Sequence, residues 1–421
     1  MAIPNRNEVP EELKWDLTRI FKNDEEWEQA YAAAQEKVDQ LGELKGTLAK
    51  SGKDLYEGLT KILAVKREVE NIYVYATMSS DVDTANSHYL GYVSRVQSLA
   101  NQFEAATSFI NPEILSIPND KLAEFKQAEP RLKNYAHYLE MITNKRPHTL
   151  PAEQEKLIAD AGDALGVSEN TFNVLTNSDM EYGYVQDDDG NMEQLSDGLY
   201  SLLIQSQNRD VRKGAFDTLY ATYGQFQNSL ASTLSGVVKK HNYNAKAHKY
   251  NSARQAALAA NGVPEAVYDT LIKEVDSHLD LLHRYVALRK KILGLKDLQM
   301  WDMYVPLTGK PSLSYDFEEA KEVAKKALKP LGEDYLKHVD YIFNNRVIDP
   351  VESKGKVTGA YSGGAYDTDP YELLNWEDNI DSLYTLVHET GHSVHSWYTR
   401  NTQPYVYGDY PIFVAEIAST T

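Results

Sequence analysis

The segment LVHETGHSVHS, residues 386–396, contains three of the 11 histidines in the chain, together with one glutamate. Apolar residues at three- and four-residue spacing around this segment predict a helix. At about 100° per residue, His388 and His392 share one helical face, one turn apart, and Glu389 lies beside them. This is the His-Glu-x-x-His pattern, in which two imidazoles bind zinc and the glutamate acts as base on the zinc-bound water.

A catalytic zinc site needs a third protein ligand, and the motif alone does not supply it. The two histidines and the glutamate of this motif would occur at the required spacing by chance in roughly two of every hundred chains of this length. A second, independent feature is therefore needed to support a zinc site. The long signature that ends in a third histidine is excluded, because the positions of its glycine and histidine hold His395 and Tyr398. His395 also lies two helical turns from His388, about 10 Å away, which is too far to share one ion.

A second helix is predicted in the segment YPIFVAEIASTT, where Pro411 suits a first turn and Asp409 can cap it. The residues expected to form its buried side are Ile412, Phe413 and Ile417. Glu416 stands in this uncharged segment, and a buried carboxylate is costly unless it is paired or bound to a metal. We therefore favour Glu416 over His395 as the third ligand.

Gly391 lies inside the predicted metal helix, where glycine costs about 1 kcal/mol relative to alanine. A glycine at such a position indicates the close approach of another backbone. Either a bound peptide or a packed helix would satisfy that requirement.

Composition excludes several classes of function. The 421 residues include 43 basic and 62 acidic residues, and the formal charge of -19 would repel nucleic acid and anionic membranes. The absence of cysteine excludes disulfides and thiolate zinc ligands. The first residues lack a targeting pattern, and no apolar run approaches the roughly 18 residues of a membrane span. We expect a cytoplasmic protein without nucleic-acid or membrane partners.

Helical periodicity dominates the rest of the chain, with two exceptions. Asp189-Gly190 between short β-type runs predicts a hairpin, and we place a domain boundary after it, near Tyr200. The glycine-rich segment KGKVTGAYSGGAYD, residues 354–367, lacks the ending of a phosphate-binding loop. Its alternating small and aromatic residues favour a strand or flap, although a mobile surface loop is the other interpretation.

The segment GAYSGGAYDTDPYELLNWEDNIDSLYTLVHETGHSVHS, residues 359–396, resembles the oligoendopeptidase F branch of the thimet oligopeptidase and neurolysin-like metallopeptidases. FVAEIASTT, residues 413–421, shares the resemblance, which extends less sharply back to EELKWDLTRIF, residues 11–21. The resemblance implies a mainly α, multi-helix neurolysin-like fold with a deep substrate channel and a small β element near the zinc site.

The same resemblance implies a zinc-dependent endopeptidase that hydrolyses internal bonds of short oligopeptides. One Zn²⁺ per chain would be held by His388, His392 and Glu416, with Glu389 as general base and acid. The glycine-rich segment would offer backbone hydrogen bonds to an extended peptide.

The boundary near Tyr200 divides the chain into two expected domains: a helical domain, 1–199, that ends in the β-hairpin, and a zinc metallopeptidase domain, 200–421. Members of that family continue past the glutamate ligand with a segment that supplies a histidine and tyrosines. We therefore expect the catalytic domain to be incomplete, with the missing C-terminal segment of the same protein as a partner. Two alternatives stay open: an inactive zinc- and peptide-binding fragment, and an exopeptidase of the same zinc class.

Overall fold

The computed structural model describes residues 4–309 and 313–420. Contacts within the chain define two compact units. The first is discontinuous and combines Met1–Arg146 with Leu313–Thr421, and the second is Pro147–Ser312. The predicted domain boundary near Tyr200 lies inside the second unit. The compact units instead meet between residues 146 and 147 and between residues 312 and 313. The functional domains 1–199 and 200–421 stay a prediction.

Helices make up most of both units, and the strands are short, which confirms the mainly α fold. The helices of the first unit are α1 (Asp24–Leu41), α2 (Gly52–Asp81), α3 (Ser87–Thr107), α4 (Ile110–Ser116), α5 (Asn119–Ala128), α6 (Ala136–Thr143), α15 (Phe317–Leu328), α16 (Glu333–Asn344), α17 (Ile380–Thr402) and α18 (Ile412–Thr420). Those of the second unit are α7 (Ala152–Asp160), α8 (Gly162–Val174), α9 (Asp197–Leu203), α10 (Arg209–Gln225), α11 (Gln227–Ala247), α12 (Ala253–Ala260), α13 (Glu265–Ser277) and α14 (Leu279–Ile292). Within the described ranges, no helix has both the length and the apolar character that a bilayer span requires.

The second unit contains the predicted hairpin. Strands β1 (Tyr184–Gln186) and β2 (Met192–Gln194) pair in antiparallel orientation. Gly190 turns the chain with a φ of 87°, a left-handed conformation that glycine adopts without steric cost. The Asp187 carboxylate accepts hydrogen bonds from the backbone N–H groups of Asp189 and Asn191. The Asp-Gly signal therefore identified the turn correctly.

A three-stranded sheet lies in the first unit. Its strands are β3 (Ile348–Asp349), β4 (Tyr361–Gly363) and β5 (Tyr371–Leu373), in the spatial order β3-β5-β4. The central strand β5 is parallel to β3 and antiparallel to β4. The glycine-rich segment thus forms a strand, as expected, and β4 is an edge strand of this sheet.

The metal helix α17 packs on the core of the first unit through its apolar stripe. Leu386 and Val394 are fully buried there, in one cluster with residues of α15, α16, β3 and β5. Trp15 and Met78, from the beginning of the chain, belong to the same buried cluster. Asn379 caps the helix, since its side-chain oxygen accepts the Ser382 N–H at 2.8 Å. These interactions hold α17 in a defined orientation.

Helix α18 packs directly against α17 at Gly391. A Cβ atom added there would lie 2.7 Å from the carbonyl oxygen of Ala418 and 2.8 Å from the Cα of Ser419. Real Cβ atoms essentially never approach backbone atoms so closely. The backbone that approaches Gly391 is therefore a packed helix, which decides between the two possibilities that the sequence left open.

The predicted buried side of α18 is wrong. Ile412, Phe413 and Ile417 are 72%, 51% and 59% exposed, whereas the small residues Ala415 and Ser419 are buried. The physical reason is the short distance between the two helices, because large side chains in the contact would hold their backbones apart. Small residues therefore face α17, and the large apolar residues point away from it.

Gly391→Ala is expected to loosen α18, because the new methyl group overlaps its backbone, and such overpacking typically costs about 1–3 kcal/mol. Urea unfolding would measure the loss of stability, and hydrogen exchange of residues 412–420 would measure the loosening. Gly91→Ala in α3 is the matched control, since no heavy atom lies within 4 Å of its added Cβ. Alanine should be neutral or stabilising there. Equal losses in both variants would contradict the packing argument.

Candidate metal centre

Three side chains from α17 and α18 converge on one point. The imidazole rings of His388 and His392 are 4.8 Å apart between centroids, at an interplanar angle of 84°. The Oε2 atom of Glu416 lies 3.4 Å from Nε2 of His388 and 3.6 Å from Nε2 of His392. One ligand atom from each residue lies within 4.8 Å of the other two. Across the described ranges, this is the one such cluster of potential metal ligands.

The cluster fits a zinc ion. Donor atoms bound tetrahedrally to zinc at about 2.0–2.2 Å lie roughly 3.3 Å from one another. The two distances from Glu416 are close to that value. Two imidazole nitrogens and one carboxylate oxygen also form a donor set found in catalytic zinc sites, which keep a fourth position open. The sequence prediction grouped the three residues that the fold brings together.

The reasoning that singled out Glu416 was only partly correct. Its side chain is 58% exposed, so burial of an uncharged segment does not constrain it. Its position depends on the contact between α17 and α18, and Ser419 holds the carboxylate by a hydrogen bond of 2.9 Å to Oε2. The geometry of the helix pair, and not the cost of burying a charge, brings this carboxylate to the histidines.

Glu389 lies beside the cluster and is not one of its three ligands. The residue is 7% exposed, and burial raises the pKa of its carboxyl group. The neighbouring His388 and a hydrogen bond from the backbone of Ser362 lower that pKa, while the charge of Glu416 raises it. A carboxylate that is close to the cluster but uncoordinated can accept and donate protons there.

His395 is a packing residue and lies outside the cluster. Its ring stacks on Tyr410, with centroids 3.8 Å apart and planes inclined by 17°. Burial lowers the pKa of the imidazole, and its Nδ1 has no hydrogen-bond partner among the described residues. The preference for Glu416 over this histidine therefore agrees with the geometry.

A second buried glutamate, Glu372, was missed by the sequence analysis. It belongs to the central strand β5, is fully buried, and faces Thr390 and Ser393 on α17. Burial raises the pKa of its carboxyl group to about 8, and the charge of Glu389 contributes to the increase. The available signal was an acidic residue between Tyr371 and Leu373 in an otherwise apolar strand.

The chain matches two family models. The model described as Peptidase family M3 matches residues 202–421, and the model described as Oligopeptidase F matches residues 113–182. The comparisons with individual proteins extend over nearly the whole chain.

Oligopeptidase PepF of Bacillus subtilis is 49% identical over 419 residues, which cover 100% of this chain and 62% of that protein. Oligoendopeptidase F, plasmid, of Lactococcus lactis subsp. cremoris is 45% identical over 418 residues, with 99% and 69% coverage. The crystal structure of oligoendopeptidase-F from Enterococcus faecium gives a TM-score of 0.63 at 38% identity, covering 94% of this chain and 65% of that one. The chain thus spans less than two thirds of the Bacillus relative. Its family match and its relatives together show that this chain belongs to peptidase family M3.

Proposed function

We propose that this chain carries the zinc site of a metalloendopeptidase that hydrolyses internal bonds of short oligopeptides. The observation that carries the proposal is the convergence of His388, His392 and Glu416 beside an uncoordinated, buried Glu389. A purely structural zinc site has no use for such a base. The names of the relatives, oligopeptidase and oligoendopeptidase, support the choice of short peptides as substrates.

In this proposal, His388, His392 and Glu416 hold one Zn²⁺. When bound, the ion would supply Lewis-acid chemistry that lowers the pKa of water to about 7 and polarises a carbonyl group. Glu389 then takes a proton from the attacking water as the new C–O bond forms, and it delivers that proton to the departing amine as the C–N bond breaks. The Ser362 N–H would hold the Glu389 carboxylate in place for both transfers.

Strand β4 is the proposed docking edge for the peptide. It pairs with β5 on one side, and its residue Ser362 contacts Glu389 through the backbone. An extended peptide that adds to the free side of β4 would bind through main-chain hydrogen bonds, with little dependence on side chains. Such binding would allow peptides of different sequence to reach the site. Exclusion of folded proteins by a deep channel, and a cytoplasmic location, stay predictions.

Glu389→Gln is expected to lower cleavage of an end-blocked, internally quenched peptide by at least about 100-fold, because the amide cannot accept the proton. Zinc binding should be retained, since Glu389 is not one of the three ligands. Asp381→Asn is the control, as it changes an exposed carboxylate in the first turn of the same helix. End-blocked substrates also separate an endopeptidase from an exopeptidase.

Cleavage by Glu389→Gln at the rate of the unaltered chain would refute the role of the base. If the unaltered chain binds zinc and peptide but cleaves nothing, the alternative of an inactive zinc- and peptide-binding fragment is favoured.

Glu416→Gln and His392→Ala are expected to weaken zinc binding by more than about 100-fold, which is the upper range for loss of a ligand's hydrogen-bond partner. The first replaces a charged carboxylate ligand by a weak neutral one, and the second removes a ligand atom. Competition with a chromogenic chelator would measure the affinity without reference to catalysis. His395→Ala is the control, since its ring stacks on Tyr410 outside the cluster. A larger loss in His395→Ala than in Glu416→Gln would refute the ligand assignment.

A further inference from the structure

Glu372 lies directly behind the metal helix. It is the cross-strand partner of Ser362 on β4 and of Ile348 on β3. Paired residues of neighbouring strands direct their side chains to the same face of a sheet, so Glu372 and Ser362 both point toward α17. The Glu372 side chain meets Thr390 of that helix, whose hydroxyl donates to Oε2 at 3.5 Å.

A chain of polar contacts connects this carboxyl group with the proposed base. The Ser393 hydroxyl stabilises the charged form of Glu372 and lies 2.9 Å from the Ser362 hydroxyl. The backbone of Ser362 in turn lies close enough to Glu389 to lower the pKa of its carboxyl group. Ser362, Ser393 and Glu372 therefore form a buried contact between β4, β5 and α17, immediately beside Glu389.

The surroundings of Glu372 favour a neutral carboxylic acid. The side chain is fully buried, its Oε1 has no hydrogen-bond partner among the described residues, and no cation contributes to its pKa. A buried carboxylate without a counter-charge is costly, and such a group normally takes up a proton instead. The titratable groups that face it are Glu389 from α17 and Tyr335 from α16, and neither supplies a positive charge. The opposite residues on β3 and β4 do not titrate.

We propose that Glu372 is a positioning residue: as a neutral acid it keeps strand β4 and the Ser362 amide against Glu389, and its deprotonation loosens that contact. The inference rests on the proposed function only for the role of Glu389 as base. Deprotonation places a negative charge close to the Glu389 carboxylate, and no lysine or arginine side chain among the described residues contributes to the pKa of Glu372. The proposed peptide-docking edge of β4 thus depends on the protonation of Glu372, which lies on β5, on the other side of β4 from that edge.

Hydrogen exchange of residues 361–363 tests the positioning directly, on the metal-free chain. After correction for the intrinsic pH dependence of exchange, opening of this segment should rise about tenfold between pH 7 and pH 9, since pH 9 lies one unit above the pKa of about 8. Glu372→Gln, which mimics the neutral acid, should keep the segment closed at both pH values. Glu372→Ala should open it at both. Equal exchange in Glu372→Gln and Glu372→Ala, or no rise in the unaltered chain, would overturn the proposal.

The pH dependence of unfolding provides a second test. Because the folded-state pKa of about 8 lies above the ordinary value of 4.5, the stability contributed by the bound proton is complete below about pH 4.5 and is lost as the pH rises toward 8. From pH 5 to pH 9, the unfolding constant of the unaltered chain should therefore rise relative to that of Glu372→Gln by on the order of 10²–10³-fold. A constant ratio would show that Glu372 is not neutral in the folded chain.

Glu104→Gln is the matched control for both tests, since it changes an exposed glutamate of α3 in the same unit. It should behave like the unaltered chain in exchange and in unfolding. Peptide cleavage is not needed for either measurement, so failure of the proposed function can be distinguished. A chain that cleaves no peptide but shows the alkaline opening at β4 would refute the endopeptidase and leave the role of Glu372 standing.

Discussion

The backbone contact between α17 and α18 at Gly391 is the constraint on which the proposed metal centre depends. The two histidines come from one helix, and their separation follows from its geometry. The proposed third ligand, Glu416, comes from another helix, and its distance from the histidines is determined by how closely the two backbones approach. A Cβ at Gly391 would meet Ala418 and Ser419, only two and three residues beyond Glu416. One missing methyl group therefore determines whether three ligand atoms can share a single ion.

Residues whose arrangement is set within one helix could be predicted from the sequence. His388, His392 and Glu389 follow from residue spacing alone, and Asp189-Gly190 identified the hairpin because turn chemistry is local. The orientation of α18 could not be predicted, because its apolar residues suggest a buried face that the structure does not use. Ile412, Phe413 and Ile417 are exposed, since only small residues fit against Gly391. Helix packing depends on the partner surface, which a single segment does not contain.

Glu372 illustrates a different limit of sequence analysis. A glutamate in a short strand is ordinarily an exposed residue, and no local pattern distinguishes a buried one. Its burial follows from the sheet order, which places β5 between β3 and β4 and beneath α17. That order places β5, the last of the three strands in the sequence, between the other two, and no local pattern shows this crossover. The candidate ligands and base on α17 could thus be predicted from the residues of that helix. The role of Glu372, which packs against α17 from the sheet, could be identified only from the fold.

The discontinuity of the first unit has a consequence for the order of events during synthesis. Trp15 and Met78 pack under α17 in the same cluster as Leu386 and Val394, so this core joins the beginning of the chain to its last hundred residues. The second unit is continuous, and a ribosome completes it before residues 313–421 emerge. Domains generally fold as units during translation, so the second unit can fold while most of the core under α17 is still to be synthesised. Until those residues emerge, Trp15, Met78 and Val82 lack the partners that bury them in the folded chain, and the nascent first unit exposes this apolar surface.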